Sequence, residues 1–251
     1  MLPPLLLSVS LPKLPHLGLV LAALALGMGY SSRAGKLTTP AVWTGGGVGV
    51  LIYLGAGFTG LALLALFFGM GTAASAWRVA DKRRLGLAEA NQGRRTASQV
   101  LANAGIAALL GLLGWLDAGH AAAYQLLVAG SFAAATADTL ASELGNVYGR
   151  CYYNVLTWRP DTRGLDGVVS AEGTLLGLVG SALVAGAYCL GAGTAAGFGW
   201  VVLAGAIGNL VDSLLGATLE RRGYLGNDAV NFCTTLAGAM VAAAGWFSAA
   251  H

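Results

Sequence analysis

The stretch GFTGLALLALFFGMGTAASAW, from Gly57 to Trp77, contains no charged side chain over 21 consecutive residues. A helix of about 20 mostly apolar residues is long enough to cross the hydrocarbon core of a bilayer. Lipid offers no hydrogen-bond partners to a backbone, so a chain with several such stretches folds as a helical bundle. The segment therefore predicts an all-α, polytopic membrane protein.

The composition of the whole chain supports this prediction and excludes other classes of protein. Of the 251 residues, 56% are apolar and 10% are charged, whereas a soluble domain carries about 25% charged residues. Disordered chains are poor in hydrophobic residues, and the 39 glycines follow no collagen period. A net charge of +3 gives no reason to expect nucleic acid as a partner.

Cysteine and histidine are too scattered to predict a disulfide framework or a zinc site. The three cysteines lie far apart with no C-x-x-C pair, and the three histidines are equally dispersed. The N-terminus does not resemble a removable signal, because four prolines interrupt it and Lys13 follows the apolar run.

Charged and Gly/Pro-rich breaks divide the chain into eight apolar segments, which predict about eight transmembrane helices in a single domain, residues 1–251. The segments run from Leu17 to Ser31, Pro40 to Leu54, Gly57 to Trp77, Ala97 to Leu116, Ala121 to Leu144, Val168 to Leu190, Ala195 to Leu219 and Ala229 to Phe247. The first two are the shortest, and the first is expected to recruit residues 1–15. Residues 1–77 add mainly hydrophobicity, whereas the motifs lie in residues 78–251.

The loops between these segments are of two kinds. Odd-numbered loops contain 13 of the 14 Lys and Arg residues, even-numbered loops contain none, and Lys13 is the exception. Under the positive-inside rule, the odd loops are cytoplasmic and both termini lie outside. The predicted location is the cell inner membrane.

Two of the segments end in acidic residues, and ionisable groups inside spans are costly and usually functional. The fifth ends in TADTLASELG, with Asp138 and Glu143, and the seventh ends in NLVDSLLGATLE, with Asp212 and Glu220. Both run toward the cytoplasm and share the pattern D-[ST]-L. The likeness predicts a tandem repeat of helix pairs, spans four with five and six with seven.

Two buried acids at one depth would repel each other unless something cationic lay between Asp138 and Asp212. Either a hard cation or a pair of arginines fills that role. Glu143 follows Asp138 by five residues, about 140° around a helix, so both serve one site only if the helix ends near Ser142. Glu220 and Asp117, at span ends near water, are expected to be structural.

Helical spacing groups the remaining polar residues into stripes. The groups are Asp138 with Ser142; Arg95, Gln99 and Asn103; and Asn227, Asn231 and the nearby Asp228. The loops 81–95 and 159–173 add Lys, Arg and flexible glycines at the same leaflet. Carboxylate and amide oxygens suit Mg²⁺, and the cations suit phosphate. We therefore expect a cytoplasmic-leaflet site for a nucleotide or lipid phosphate with Mg²⁺.

Five ordered motifs in these stretches carry a resemblance to a known family. They are GRR at 93–95 with QVLAN at 99–103, ADTLASELG at 137–145, GLDGVVSAEGT at 164–174, DSLLGAT at 212–218 and NDAVN at 227–231. Together they resemble the integral membrane family once catalogued as domain of unknown function ninety-two, which includes the plant phytyl-phosphate kinase of the vitamin E pathway. The likeness runs from about Lys82 to the C-terminus.

The resemblance implies transfer of a phosphoryl group from a nucleoside triphosphate, CTP or ATP with CTP expected, to an isoprenyl monophosphate. Catalytic roles are expected for Asp138, Asp212, Arg95 and Arg163, and Mg²⁺ is expected at Asp138, Glu143 and Asp212. Residues expected to bind nucleotide or substrate phosphate are Lys82, Arg94, Gln99, Asn103, Ser142, Asp166, Glu172, Asn227, Asp228 and Asn231. The expected partners are these two substrates and membrane lipid, and a homo-oligomer is compatible with this interpretation.

The chain departs from the family in the loop pattern G-T-[DE]-G-[GA], where Leu165 replaces the Thr and Val168 the small residue. Any phosphate contact from that hydroxyl is missing here. Two other functions need a similar site. A CTP-dependent lipid-phosphate cytidylyltransferase uses the same polyanion and metal, and a transporter or scramblase also places acids in Gly-rich helices.

Overall fold

A computed structural model describes residues 14–87 and 93–249 and confirms the all-helical class. The helices are α1 (Leu14–Arg33), α2 (Thr39–Ala76), α3 (Val79–Arg84), α4 (Ala97–Leu116), α5 (Ala121–Tyr148), α6 (Ala171–Ala192), α7 (Phe198–Leu215) and α8 (Asn227–Ala249). A 3₁₀ turn, Ala118–His120, precedes α5, and a π-helical turn, Gly216–Glu220, continues α7. Two short strands, β1 (Tyr153–Asn154) and β2 (Val168–Val169), pair antiparallel before α6. Lys13, the segment 1–12 and part of the predicted 81–95 loop lie outside the described residues.

Helix α2 contains the second and third predicted segments and folds back on itself at Gly57. Gly57 has φ 61° and ψ −152°, which a residue with a Cβ adopts only under strain. Phe68 in the second half packs against a cluster that contains Val42 of the first half. A straight helix would separate these residues by about 39 Å at 1.5 Å per residue. The halves 39–56 and 58–76 therefore form a hairpin.

Helix α5 lies at the centre of the bundle, where it packs against α2, α4, α6, α7 and α8. Its residues from Val128 to Ala137 are buried on every face. Small side chains permit this packing: a Cβ on Gly130 would lie 2.6 Å from the carbonyl oxygen of Gly238 on α8. A helix shielded in this way can carry polar residues that lipid would not tolerate.

Five helices of the described residues are long and apolar enough to cross a membrane: α2, α4, α6, α7 with its π turn, and α8. Helix α5 has the length but carries Asp138 and Glu143 within its polar C-terminal half. The count of eight spans stays a prediction. Outward faces of the bundle are apolar, as at Leu26 and Leu190, whose exposed fractions are 76% and 88%.

The odd-numbered loops meet at one end of the bundle. The backbone N–H of Arg95 donates to the carbonyl oxygen of Lys36 across 3.0 Å, and the N–H of Thr38 donates to the carbonyl oxygen of Arg95 across 3.0 Å. At the same end, the guanidinium of Arg221 donates to Asp161 across 3.0 Å. The basic loops thus form one surface, and its assignment to the cytoplasm stays a prediction.

Candidate functional site

Asp138 on α5 and Asp212 on α7 come together at this loop-bearing end. Both carboxyl groups line one cavity of about 190 Å³. The helices approach closely because α7 carries glycines at the contact: a Cβ on Gly208 would clash with Ala134 of α5. The two acids that the sequence singled out therefore share one site.

Two more acids line the same cavity. Glu220 ends the π-helical turn after α7, and Asp166 comes from the loop before β2. Both share this cavity with Asp138 and Asp212. Glu220, which the sequence predicts to be structural, is therefore a lining residue of this cavity, and its role stays a prediction. Its spacing of eight residues from Asp212, which keeps one helical stripe, was the signal for this placement.

The loop that carries Asp166 is held against α7 by a close backbone contact. Gly167 has φ +71°, and a Cβ there would overlap Ala217. The Nε of Arg221 donates to the carbonyl oxygen of Asp166 across 3.0 Å. The backbone N–H of Thr162 and the guanidinium of Arg221 lower the pKa of Asp161, so this carboxylate stays ionised and anchors the loop at neutral pH.

Amide side chains complete the wall of the cavity lined by Asp138, Asp166, Asp212 and Glu220, which we call the acid cavity. Asn227 and Asn231, both predicted, line it, and the amide of Asn231 donates to the side-chain oxygen of Asn227 across 2.7 Å. Asn209 and Asn146 also line it and were not predicted. Asn209 precedes Asp212 by three residues and Asn146 follows Ser142 by four, so helical spacing was the missed signal.

Asp212 is oriented by a neighbouring helix. The hydroxyl of Thr234 on α8 donates to the Oδ1 of Asp212 across 3.0 Å. Thr234 is buried, with 1% of its surface exposed, and sequence spacing gives no sign of this contact between α7 and α8. A fixed carboxylate is better prepared to receive a cation.

The donor set fits Mg²⁺ and does not fit a metal that requires a cage of protein ligands. Among the residues that the structure describes, no three His, Cys, Asp or Glu side chains converge as a metal site. Mg²⁺ commonly binds through one or two carboxylates, with waters and substrate phosphates completing its shell. Asp138, Asp212 and the amide oxygens around them match that pattern.

A second polar cavity of about 350 Å³ lies beside the first. The two share Asp138, Ser142, Asn146, Gly164, Asn227 and Asn231 as a common wall. The second cavity is also lined by Arg95, Gln99, Asn103 and Glu143. An acid-lined space thus adjoins a space with a cationic side chain, as a phosphate and a metal ion would require.

The backbone and the side chain of Arg95 are both held in place. Its N–H and carbonyl groups bond to the α1–α2 loop, as described above, and its guanidinium lies 5.6 Å from the Phe67 ring centre and 6.0 Å from that of Phe68. One turn later, Gln99 and Thr96 form a reciprocal capping box at the start of α4. The amide of Asn103 donates to the carbonyl oxygen of Gln99 across 3.0 Å.

Lys82 and Glu143 form a buried ion pair with each other. The Lys82 Nζ donates to Glu143 across 2.5 Å and to the carbonyl oxygens of Ala74 and Ser75, 2.9 Å each, at the end of α2. These three bonds use all three ammonium protons. The second carboxylate oxygen of Glu143 accepts from the Ser75 hydroxyl at 2.7 Å.

This pair bears on two expectations. Lys82 has no ammonium proton left for phosphate, so its contacts do not fit the expected phosphate-binding role. Glu143 lines the second polar cavity together with Asp138 while its two carboxylate oxygens bond to Lys82 and Ser75, and its expected role as a metal ligand stays a prediction. Both residues fasten α5 to the end of α2.

Four other predicted residues lie outside the linings of the cavities described here. Arg94 is exposed and reaches the carbonyl oxygen of Leu37 at 3.5 Å, and Glu172 accepts from the backbone N–H of Arg150 at 3.4 Å. Asp228 stands beside Asn227 at the start of α8. The structure does not bring these three to Asp138.

The fourth, Arg163, lies next to the acid cavity. Its guanidinium is 5.6 Å from the ring centre of Tyr152, which lines that cavity. Its Nε is buried with no hydrogen-bond acceptor among the described residues. Burial raises the pKa of Tyr152, whose neutral hydroxyl lies 3.0 Å from the Gly145 carbonyl oxygen and 2.9 Å from that of Gly149.

Comparison with known proteins relates the chain to membrane proteins of plants, cyanobacteria and archaea. The profile of the family described as integral membrane protein DUF92 matches residues 21–239. The chain is 35% identical over 202 residues to "Protein VTE6, chloroplastic" of Arabidopsis thaliana, covering 78% of this chain and 61% of that protein. The chain therefore spans less than two thirds of that relative.

Two microbial relatives are matched more completely. An uncharacterized membrane protein of Synechocystis is 34% identical over 221 residues, which is 82% of each chain. An uncharacterized membrane protein of Methanocaldococcus jannaschii is 33% identical over 205 residues, covering 76% of this chain and 78% of that protein. No solved structure matches the chain.

Proposed function

Because the chain belongs to the integral membrane protein DUF92 family, we propose that it is a prenyl-monophosphate kinase. In this reaction the γ-phosphorus of a nucleoside triphosphate, CTP in preference to ATP, bonds to a phosphate oxygen of an isoprenyl monophosphate. Its bond to the bridging oxygen of the β-phosphate breaks, and the products are a prenyl diphosphate and a nucleoside diphosphate. The choice of acceptor follows the resemblance of the motifs to the family of the plant phytyl-phosphate kinase.

The observation that carries the proposal is the wall common to the two polar cavities. Asp138 lies in that wall, with Asp212 on one side and Arg95 on the other. Two phosphate groups that are to react must be held close together while their charges are neutralised. Adjoining spaces, one suited to a metal-bound triphosphate and one to a monophosphate, meet this requirement.

The reaction requires the protein mainly to position the two substrates and to neutralise the charge of their phosphate groups. The acceptor is already an anionic oxygen, so no strong general base is needed, and catalysis rests on electrostatic stabilisation. Bound Mg²⁺ would supply neutralising charge at the triphosphate, with Asp138 and Asp212 as its holders. Arg95 would orient the acceptor phosphate, and Arg163 would stabilise the transferring group from the loop side.

The amide residues have a positioning role in this scheme. Asn227 and Asn231 offer oxygen and N–H groups to nucleotide or phosphate, and Gln99 and Asn103 present their stripe to the acceptor. The gathering of Asp138, Asp166, Asp212 and Glu220 in one cavity at the loop-bearing end supports surface chemistry over a transport path, which would distribute acids through the membrane depth. We place this chemistry at the cytoplasmic leaflet.

The test is product identification with the purified full-length protein. The protein is incubated with Mg²⁺, each nucleoside triphosphate in turn and a series of prenyl monophosphates, and the products are identified by mass spectrometry. We expect a lipid heavier by one phosphate, together with CDP. A lipid that carries CMP, with diphosphate released, would identify a cytidylyltransferase and overturn the proposal, as would no nucleotide consumption with any acceptor.

A further inference from the structure

An apolar groove opens beside the second polar cavity. It lies between α1, the two halves of α2 and the start of α4 and has a volume of about 660 Å³. Its walls are aliphatic and aromatic side chains, among them Leu19, Leu24, Met28, Phe58, Leu64 and Phe68. The fold-back of α2 at Gly57 creates this space, because it sets two apolar helical faces side by side.

The length of the groove matches one leaflet of a bilayer. Along α1 it extends from Leu19 to Ser31, which is about 18 Å at 1.5 Å per residue. One half of a hydrocarbon core about 30 Å thick is about 15 Å. A single lipid chain that starts at the polar end therefore has room to lie along the groove to the middle of the membrane.

The polar end of the groove is the same group of residues that closes the second polar cavity. Arg95, Gln99, Asn103 and Phe67 line both spaces. Arg95 is the one charged side chain among the described residues that line the groove. An apolar channel that ends in one cation is complementary to a long hydrocarbon with a single anionic head.

The groove also has lateral room along its walls. Gly27 and Gly45 line it, and a Cβ built on either would meet no other atom within 4 Å. A chain with methyl branches needs such space beside its backbone, whereas a straight acyl chain does not. These two open positions leave space for the methyl branches of an isoprenoid chain.

We propose that this groove binds the isoprenyl chain of the acceptor, with its phosphate at Arg95 facing the acid cavity. The inference rests on the proposed kinase function for the identity of the head group. It assigns the choice of chain length to residues of α1 and α2, which carry none of the motifs. A chain long enough to reach past Gly45 gains contacts that a short one does not.

The first test fills the groove from one glycine. Gly45 lies about 9 Å along the helix from Thr39, so Gly45→Phe blocks the groove beyond the reach of a five-carbon chain. Gly47→Phe is the matched control, because Gly47 is exposed on the same helix, has open space at its Cβ and does not line the groove. We expect KM for a twenty-carbon monophosphate to rise at least about tenfold in Gly45→Phe with kcat and the five-carbon substrate unaffected, and no change in Gly47→Phe.

A second pair of variants guards against misfolding of the first. Ala65→Phe fills the groove from the other half of α2, and exposed Gly69, outside the groove, gives the control Gly69→Phe. We expect the same selective loss of the long substrate in Ala65→Phe alone. An unchanged preference for chain length in folded groove variants would overturn the inference.

Photoaffinity labelling separates this inference from the proposed function. A twenty-carbon prenyl monophosphate with a diazirine at its far end is expected to label α1 and residues 58–68, and unlabelled geranylgeranyl monophosphate is expected to compete. Competed labelling of the groove without phosphoryl transfer to any acceptor would refute the kinase and retain the groove. Transfer with labelling elsewhere, or labelling displaced by a two-chain phospholipid and not by the prenyl monophosphate, would refute the groove and retain the kinase.

Discussion

The ammonium of Lys82 lies 2.5 Å from the carboxylate of Glu143, and the two side chains expose only 2% and 11% of their surface. The pair joins α3, whose Lys82 also bonds to the end of α2, to the C-terminal part of α5, across 61 residues of sequence. Glu143 stands five residues after Asp138 on the same helix, so the ion pair restrains the rotation of α5 and with it the orientation of Asp138.

Removal of one partner of this pair is expected to destabilise the protein strongly. Lys82→Met leaves a buried carboxylate without its cation, which costs about 3–5 kcal/mol of the free energy of unfolding. Lys82→Met combined with Glu143→Met should recover part of that loss. Unfolding in mixed detergent micelles measures both. Arg84→Ala is the control, because the Arg84–Asp81 pair is 4.0 Å apart and largely exposed; a loss of the same size there would contradict the explanation.

Asp138→Asn and Asp212→Asn are each expected to abolish Mg²⁺-dependent phosphoryl transfer while the protein stays folded. Each substitution keeps the shape of the side chain and removes the negative charge that holds the cation. Asp117→Asn provides the comparison, because Asp117 follows α4, away from the cavity, and bonds to His120 at 2.9 Å. Full activity in the two cavity variants would remove the assignment of these acids.

Thr234→Val should weaken the apparent affinity for Mg²⁺ by about 10–100-fold, as loss of an outer-shell hydrogen bond commonly does. The substitution keeps the volume of the side chain and deletes the hydroxyl that orients Asp212. Thr235→Val is the matched control, since the Thr235 hydroxyl donates instead to the carbonyl oxygen of Phe232 at 2.9 Å. Titration of activity with Mg²⁺ should show a weaker apparent affinity in Thr234→Val than in Thr235→Val. Equal changes in apparent affinity in both variants would assign the effect to packing alone.

Gly167→Ala should impair activity and stability more than Gly223→Ala. Both positions have positive φ, +71° and +74°, so both variants incur about 1–2 kcal/mol of backbone strain. Only at Gly167 does the new methyl group also collide with another residue, Ala217, which forces the Asp166 loop off α7. Stability and KM for nucleotide are the measurements. Similar losses in both variants would show that the loop contact is unimportant.

Acidification should release the loop that carries Asp161 only at low pH. Hydrogen bonds from Thr162 and Arg221 lower the pKa of Asp161 in the folded protein. The contribution of Asp161 to the free energy of unfolding is therefore complete above its pKa in the unfolded chain, about 3.9. That contribution is lost as the pH falls through its pKa in the folded protein. Proteolysis of the 155–167 loop as a function of pH should therefore stay constant from neutral pH to about 4. Asp161→Asn should be cleaved faster at neutral pH, and equal cleavage of both proteins would refute the tether.

Sequence patterns indicated that Asp138 and Asp212 lie at the same end of the bundle, because the information needed for that placement is local. Asp138 and Asp212 stand in like motifs near the same ends of two helices that run in the same direction, so their depths agree. The Arg95, Gln99 and Asn103 stripe was predictable for the same reason, since one helix carries all three. The helical spacing within each segment also indicates that Asn146 and Asn209 lie on the same faces as these residues.

Contacts between helices depend on rotation and packing, which local spacing does not determine. The Lys82–Glu143 pair depends on where α2 ends, and the Thr234–Asp212 bond depends on how α8 turns against α7. The stacking of Arg163 on Tyr152 likewise requires the path of the β1–β2 loop. The hairpin at Gly57 was predictable as a boundary, but the groove that it forms was not, because the groove exists only between elements.

The groove and the acid cavity are lined by different parts of the chain, and this separation has an evolutionary consequence. The groove walls come almost entirely from residues 19–68, whereas the groups proposed to act on phosphate come from residues 95–231. Substitutions at groove residues away from Arg95 would therefore change the proposed choice of hydrocarbon, whereas exchange of the whole N-terminal part would also break the contacts of Lys82 with Ala74 and Ser75. If the groove holds the lipid as proposed, changes within residues 19–68 would alter which lipid is bound while the residues of the acid cavity stay the same.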